Sequence, residues 1–262
     1  KLAKVEQRLR LLNTKVGDIG SRVVLGEHPL ETELLVKQAR HYLEQGQFDY
    51  ANQASERASQ NLFKQTALLT NELGRYADDD LIAAWRESAR RTIDWSRKNR
   101  AHAIVISKAD RVLTVYKSGR KVLTYPIRLG SKGIRAKQYY GDGATPEGEY
   151  RIQRKRGPGQ TPYFRALILD YPNAEDRRRF EEAQQAGLIP KNRQMPGLIQ
   201  LHGIAQGITD QPYGSIVLDN PQIAVLFAQV AVGTPVNIVG ALESHNSVSL
   251  VLADLGDQEE ET

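Results

Sequence analysis

The sequence predicts an α+β protein: a helical region over residues 1–100, a mainly β sandwich or barrel with a few short helices over 101–241, and a C-terminal tail over 242–262. Three observations predict this. Up to about Arg100 the chain is built of Ala, Leu, Gln, Glu, Lys and Arg, with apolar positions at helical spacing and almost no β-branched runs. Near Arg97 the alphabet changes to short apolar and β-branched runs separated by Gly, Pro, Asn and Asp. The 262 residues, 40% of them apolar, suffice for two ordinary domains.

In order, Leu2, Val5, Leu9 and Leu12 form one helical stripe, which Gly17, Gly20, Gly26 and Pro29 interrupt. A second helix carries Leu30, Leu34, Leu35, Ala39 and Tyr42 and ends at Gly46, and a third carries Phe48, Ala51, Ala54, Ala58 and Leu62. The small alanine positions let two helices pack closely as a hairpin or a coiled-coil arm. Asp78 to Asp80 supply caps for a fourth helix bearing Leu81, Ile82, Trp85, Ala89 and Ile93. With one apolar face and few aromatics for a core of its own, this region reads as a docking or self-association element, for a protein partner or a second copy of the chain.

The β part opens with a buried strand, Ala103 to Ser107, and an alternating strand, Arg111 to Tyr116, joined through Lys117-Ser118-Gly119-Arg120 to a return strand over Val122 to Leu129. Strands follow at Glu149–Gln153, Leu167–Leu169, Leu198–Leu201, Ile216–Leu218 and Val236–Val239, in an arrangement expected to be largely antiparallel. Asn220 and Pro221 start a helix that runs to Val230, and the long excursion from Arg156 to Pro196 holds a charged helical piece, Ala174 to Ala186.

Composition excludes some functions. With no cysteine the chain has no disulfide, no thiolate metal site and no thiol nucleophile. His28, His41, His102 and His245 lack metal-ligand spacing, so neither metal nor cofactor is expected. The net charge of +5 is spread among interspersed charges of both signs, which is no nucleic-acid footprint. No run of about 18 apolar residues occurs. Because the chain opens on Lys1, a signal or anchor removed upstream is expected, and the acidic tail Gly256–Thr262 is expected to be disordered.

The candidate site lies between Pro196 and Asn220. A buried strand delivers His202 with Gly203 behind it, and thirteen residues on a Gly214 turn presents Ser215. A base and a small polar side chain are thus offered from neighbouring loops, with backbone N–H groups around Gly214 placed for an oxyanion. Tyr213, Tyr139 and Tyr140 could line a groove, and Arg135 and Lys137 could bind substrate carboxylates. The segment Asp170 to Arg177 reads as a structural turn with an ion pair.

Together, five pieces resemble the L,D-transpeptidase catalytic domain, the YkuD-type fold: AIVISKADRVLTVYKSGRKVLTYPIRLG, GDGATPEGEY, LDYPNAEDRRRF, IQLHG, and YGSIVLDN with LFAQVAVGTPVNIVG. They span Ala103 to Gly240, about half the chain, and leave the residues before Arg100 uncovered. The resemblance implies attack of a cysteine thiolate on a peptidoglycan stem peptide, at the bond between meso-diaminopimelate and D-alanine, in a periplasmic or other extracytoplasmic setting. It implies that His202 takes the nucleophile's proton and that the family's cysteine falls on Ser215. The preceding Gln211-Pro212-Tyr213 also departs from the family pattern. Three explanations fit: natural loss of the nucleophile leaving a wall- or partner-binding module, a Cys-to-Ser change in an active transpeptidase, carboxypeptidase or endopeptidase, and a serine hydrolase using Ser215 and His202. The first is the reading adopted here.

Overall fold

The computed structural model describes residues 1–18, 28–130, 132–195, 197–204 and 214–260. In chain order the helices are α1 (Leu2–Asp18), α2 (His28–Glu44), α3 (Phe48–Leu73), α4 (Asp79–Asn99), α5 (Ala174–Gln185), α6 (Asn220–Gln229) and α7 (Ser247–Glu260). The strands are β1 (His102–Ser107), β2 (Val112–Lys117), β3 (Arg120–Pro126), β4 (Gly148–Arg156), β5 (Ala166–Leu169), β6 (Gln200–His202), β7 (Ile216–Val217) and β8 (Pro235–Val239). The chain divides into two compact units: Lys1–Ala77 with Ser247–Thr262, and Asp78–Asn246.

The first unit is helical. Leu12, Val16, Ala39, Ala58, Leu62, Leu69 and Leu73 are buried, and the small alanines lie where α2 and α3 pack. A polar pair sits inside: Gln65 Nε2 donates to Thr32 Oγ1 at 2.7 Å, and both residues are fully buried. The helix break expected at Gly17 comes later, since α1 runs through it, and Pro29 falls in the first turn of α2, where its missing N–H costs nothing. Gly20 and Gly26 lie outside the described residues. The tail expected to be disordered is helical as far as Glu260, because Val248, Val251 and Leu255 give it an apolar face that the unit buries.

The second unit begins earlier than the boundary expected near Arg100. Asp78 caps α4 by accepting from Leu81 N at 2.9 Å, and α4 packs on β1 and β8. Gly240 explains the closeness: a Cβ there would lie 2.2 Å from the Trp85 ring. Buried Asn237 of β8 donates to Ser88 Oγ at 2.7 Å and Thr92 Oγ1 at 3.1 Å, so the helix satisfies the amide nitrogen, while its Oδ1 has no partner among the described residues.

The eight strands form one sheet in the order β3-β2-β1-β8-β4-β5-β6-β7. Ser118 and Gly119 both have positive φ, 53° and 76°, as a two-residue hairpin turn between β2 and β3 requires. The sheet is mixed: β1 pairs with β8, and β6 with β7, in parallel, against an otherwise antiparallel ladder. Arg128, just past β3 at one edge, exchanges two backbone hydrogen bonds of 2.8 Å with Val217 of β7 at the other. The sheet therefore curls until its edges meet, enclosing Ile104, Ile106, Leu113, Ile152, Leu167, Leu201, Ile216 and Ile238.

Candidate active site

The site lies where β6 and β7 run side by side. Their register sets Leu201 against Ile216 and His202 against Val217. Side chains alternate along strands, so Leu201 and Ile216 enter the core while His202 and, one residue before β7, Ser215 share the other face. Strand spacings put those two Cα atoms roughly 8 Å apart, within side-chain reach.

Three glycines make the approach possible. Gly214 has φ 91°, and a Cβ there would lie 1.9 Å from the Ala144 carbonyl oxygen. Gly130 would meet Gly143 O at 2.9 Å. A Cβ on Gly203 would lie 2.5 Å from Asn220 Oδ1, the atom that accepts Ile204 N at 2.8 Å and ties the chain after His202 to α6. Only glycine in the left-handed region allows backbone to lie against backbone as it does at Gly214.

His202 is 2% exposed. Its Nδ1 is 2.8 Å from the Gly203 carbonyl oxygen, which fixes the tautomer with the proton on Nδ1 and leaves the Nε2 lone pair as the base. Nε2 is buried and has no hydrogen-bond partner among the described residues. The Tyr163 ring stacks on the imidazole, with centroids 3.6 Å apart and planes at 22°. Burial lowers the pKa of His202, and the Gly203 carbonyl opposes this in part, so the ring is neutral at pH 7. Ser215 is likewise buried. Among the described residues no carboxylate contacts His202.

The loop over residues 132–147, which holds three expected substrate-binding residues, is braced from below. Lys108 is fully buried, and its ammonium donates to Arg135 O and Thr145 O, both at 2.7 Å, and to Glu147 Oε1 at 2.9 Å. Asp142 accepts from Lys137 Nζ at 2.7 Å and from the N–H groups of Gln138, Tyr139 and Ala144 at 2.7 to 3.0 Å. The Lys137 side chain is 3% exposed, so the ammonium expected to meet a substrate carboxylate is committed to Asp142 and shapes the loop. Arg135 contributes its carbonyl to the Lys108 cluster. Tyr140 is exposed and packs near Gly197, with its N–H on Gln194 O at 3.0 Å. Tyr213, with Gln211 and Pro212, lies outside the described residues.

His202, Gly203, Gly214 and Ser215 are thus brought together, whereas Lys108, Glu147, Tyr163 and Asn220 are additions. A lysine in the turn after a strand reads as solvated, and Tyr163 stands in an aperiodic loop, so neither carried a local signal. Asp176 fits its expected structural part: its side chain completes the α5 capping box and accepts from Tyr150 Oη at 3.1 Å, and burial raises the pKa of both groups. Among the described residues no group of side chains is arranged to hold a metal ion, and no helix is long and apolar enough to cross a membrane.

Comparison with known proteins follows the same residues. Residues 101–238 match the family model YkuD, described as the L,D-transpeptidase catalytic domain. The protein YafK of Escherichia coli strain K12 is 37% identical over 78 residues, 28% of this chain and 32% of that protein, so the match spans about a third of the curated relative. Among solved structures, Bd1075 of Bdellovibrio bacteriovorus shares 24% identity over 62% of this chain and 57% of that one, with a TM-score of 0.41. The helical cell shape determining protein Pgp2 of Campylobacter jejuni shares 23% over 63% and 62%, with a TM-score of 0.42. The family match covers more than half of the 262 residues and includes both His202 and Ser215, and on that ground this chain belongs to the YkuD family of L,D-transpeptidase catalytic domains.

Proposed function

We propose that this protein is a peptidoglycan-associated member of its family, placed in the periplasm or another extracytoplasmic compartment, that binds stem peptides or an envelope partner and performs no acyl transfer with Ser215. The state of His202 carries this reading. A serine hydroxyl holds its proton far more tightly than a thiol, so attack on an amide needs a base whose cationic form is stabilised as the proton arrives. The neutral imidazole here is oriented by a peptide carbonyl, and burial makes it a weaker base still. That arrangement suits a thiol, whose proton leaves near neutral pH, better than a hydroxyl. Ser215 is left as a buried polar side chain with no catalytic part.

The test is incubation with disaccharide-tetrapeptide, followed by mass spectrometry, and co-sedimentation with purified sacculi. The expected outcome is no released D-alanine and no cross-linked product, with sacculus binding retained in His202→Ala. Turnover that disappears in Ser215→Ala would establish the serine hydrolase instead.

That His202 Nε2 has no partner among the described residues favours a second reading, in which an active transpeptidase has lost only its cysteine. Ser215→Cys separates the two. Covalent capture of a carbapenem, seen as a mass increase, supports the second reading; no capture supports the first, in which Gln211-Pro212-Tyr213 has departed from the family pattern together with the nucleophile.

A further inference from the structure

A cavity of about 360 Å³ opens between α4, β4 and β8, in a part of the sheet unit that owes nothing to His202 or Ser215. Its origin lies in the sheet. At Arg151 the strand β4 changes partner, from β8, where Arg151 faces Pro235, to β5, whose pairing starts at Ile152. Asp170 grips the strand at that point: Arg151 N–H donates to Asp170 Oδ1 at 2.7 Å, and Asp170 N–H donates to Arg151 O at 3.0 Å. Next to this grip Ile152 N–H donates to Thr234 O at 3.0 Å and Gly233 N–H to Ile152 O at 2.8 Å, so β4 stays bonded on both edges, and α4 lies over this stretch.

The walls carry charges of both signs over an apolar floor. Arg91 and Arg151 supply guanidinium groups, Glu149 and Asp170 carboxylates, and Trp95 and Pro235 the apolar surface. Arg151 lies over the Trp95 ring at 5.5 Å and uses Nη1 on Gly233 O at 2.9 Å. Arg91 and Glu149 meet at 2.6 Å, but both side chains are about half exposed, and a pair of that kind contributes about 0–1 kcal/mol and exchanges readily. Glu149 Oε1 takes Arg91 and Ser88, which leaves its second oxygen without a described partner, as is the second oxygen of Asp170.

The charge pattern selects the ligand class. An anion such as phosphate would face two carboxylates, a polyamine would face two guanidinium groups, and a neutral sugar would leave both sets without a charged partner. An α-amino-acid group answers both, its carboxylate to the arginines and its ammonium to the acids, and the cavity lies at the small end of ligand pockets. We propose that this cavity binds a zwitterionic α-amino-acid group, with the hydrocarbon part of the ligand against Trp95 and Pro235. Because none of the lining residues belongs to the site at His202 and Ser215, the inference does not depend on the function proposed above.

The test is a titration of the ¹⁵N-labelled full chain with D-alanine, L-alanine and meso-diaminopimelate, read at the indole N–H of Trp95 and assigned by Trp95→Phe. N-acetyl-D-alanine, D-alaninamide and N-acetylglucosamine serve as ligands lacking the ammonium, the carboxylate and both. Saturable shifts are expected for at least one zwitterion, with about tenfold weaker binding for each blocked analogue and in Arg91→Ala and Glu149→Gln, the loss of one charge-assisted contact. Both variants alter half-exposed side chains, and near-ultraviolet circular dichroism checks their folding. The proposal is overturned if no amino acid gives a saturable shift, if the blocked analogues or the sugar bind as well as the zwitterions, or if neither variant weakens binding.

Discussion

At Gly214 a single hydrogen atom in place of a methyl group decides whether the site can form. With φ at 91° and a Cβ position 1.9 Å from a backbone oxygen, Gly214→Ala must move the Ala144–Thr145 backbone, which Lys108 holds through Thr145 O. Chemical denaturation is expected to show a loss of about 2–4 kcal/mol, the range for a strained φ combined with overpacking. A loss below about 0.5 kcal/mol, the range of an ordinary surface change, would show that the loop is not braced. His202 makes a second prediction, in pH. Its folded pKa is depressed, so on acidification the unfolded chain takes up the proton first, at its usual value of about 6.5. Stability contributed by neutral His202 is therefore complete above that pH and is lost as pH falls from there to the folded pKa. Unfolding free energies measured between pH 7 and pH 5 should decline more steeply in the parent chain than in His202→Asn, and equal slopes would refute the buried neutral imidazole. The strand that ends at His202 and the turn at Gly214 were legible because each stands in a local pattern of strand, glycine and turn. Lys108 was not, since its partners Arg135, Thr145 and Glu147 lie 27, 37 and 39 residues away.

Among the elements, α4 shows how a helix can be read correctly and still be assigned to the wrong unit. Its apolar stripe and its Asp78 cap were visible in the sequence, but a stripe does not say which surface it will meet. The deciding signals sit far along the chain, in a glycine at 240 that admits the Trp85 ring and an Asn237 that needs two hydroxyl partners. Coupling follows from that contact. Trp85→Ala is expected to cost about 3–5 kcal/mol, as removal of a buried aromatic does. Gly240→Ala should destabilise the parent chain by forcing the ring away, but should be nearly neutral in the Trp85→Ala background, where the space is empty. A double-mutant cycle by denaturant unfolding reads the interaction directly, and additive losses would show that the two residues do not press on each other. The parallel pairings escaped for a similar reason. Each β1–β8 and β6–β7 contact joins distant segments, and the period-2 pattern of a strand is the same in either direction.

For the molecule as a whole, the division into a helical and a sheet part was legible from composition, while the route of the chain was not. The last segment returns to the first unit, and nothing local in its sequence announces that destination. Val248, Val251 and Leu255 are each at most 6% exposed, Leu255 lines a small cavity with Leu12 and Leu62, and Asp254 pairs with Lys15 of α1. Burial of each apolar side chain contributes about 1.5–3 kcal/mol, so deletion of residues 247–262 removes several kcal/mol from a unit with a modest core. The sheet unit, Asp78–Asn246, keeps every residue of its own core in that truncation. Calorimetry of the truncated chain should show the helical transition lowered or abolished, while the transition that carries the near-ultraviolet signal of the tyrosine-rich sheet unit stays within a few degrees of the parent. Loss of both transitions together would mean that the two units fold as one, and an unchanged helical transition would mean that α7 contributes nothing to its stability.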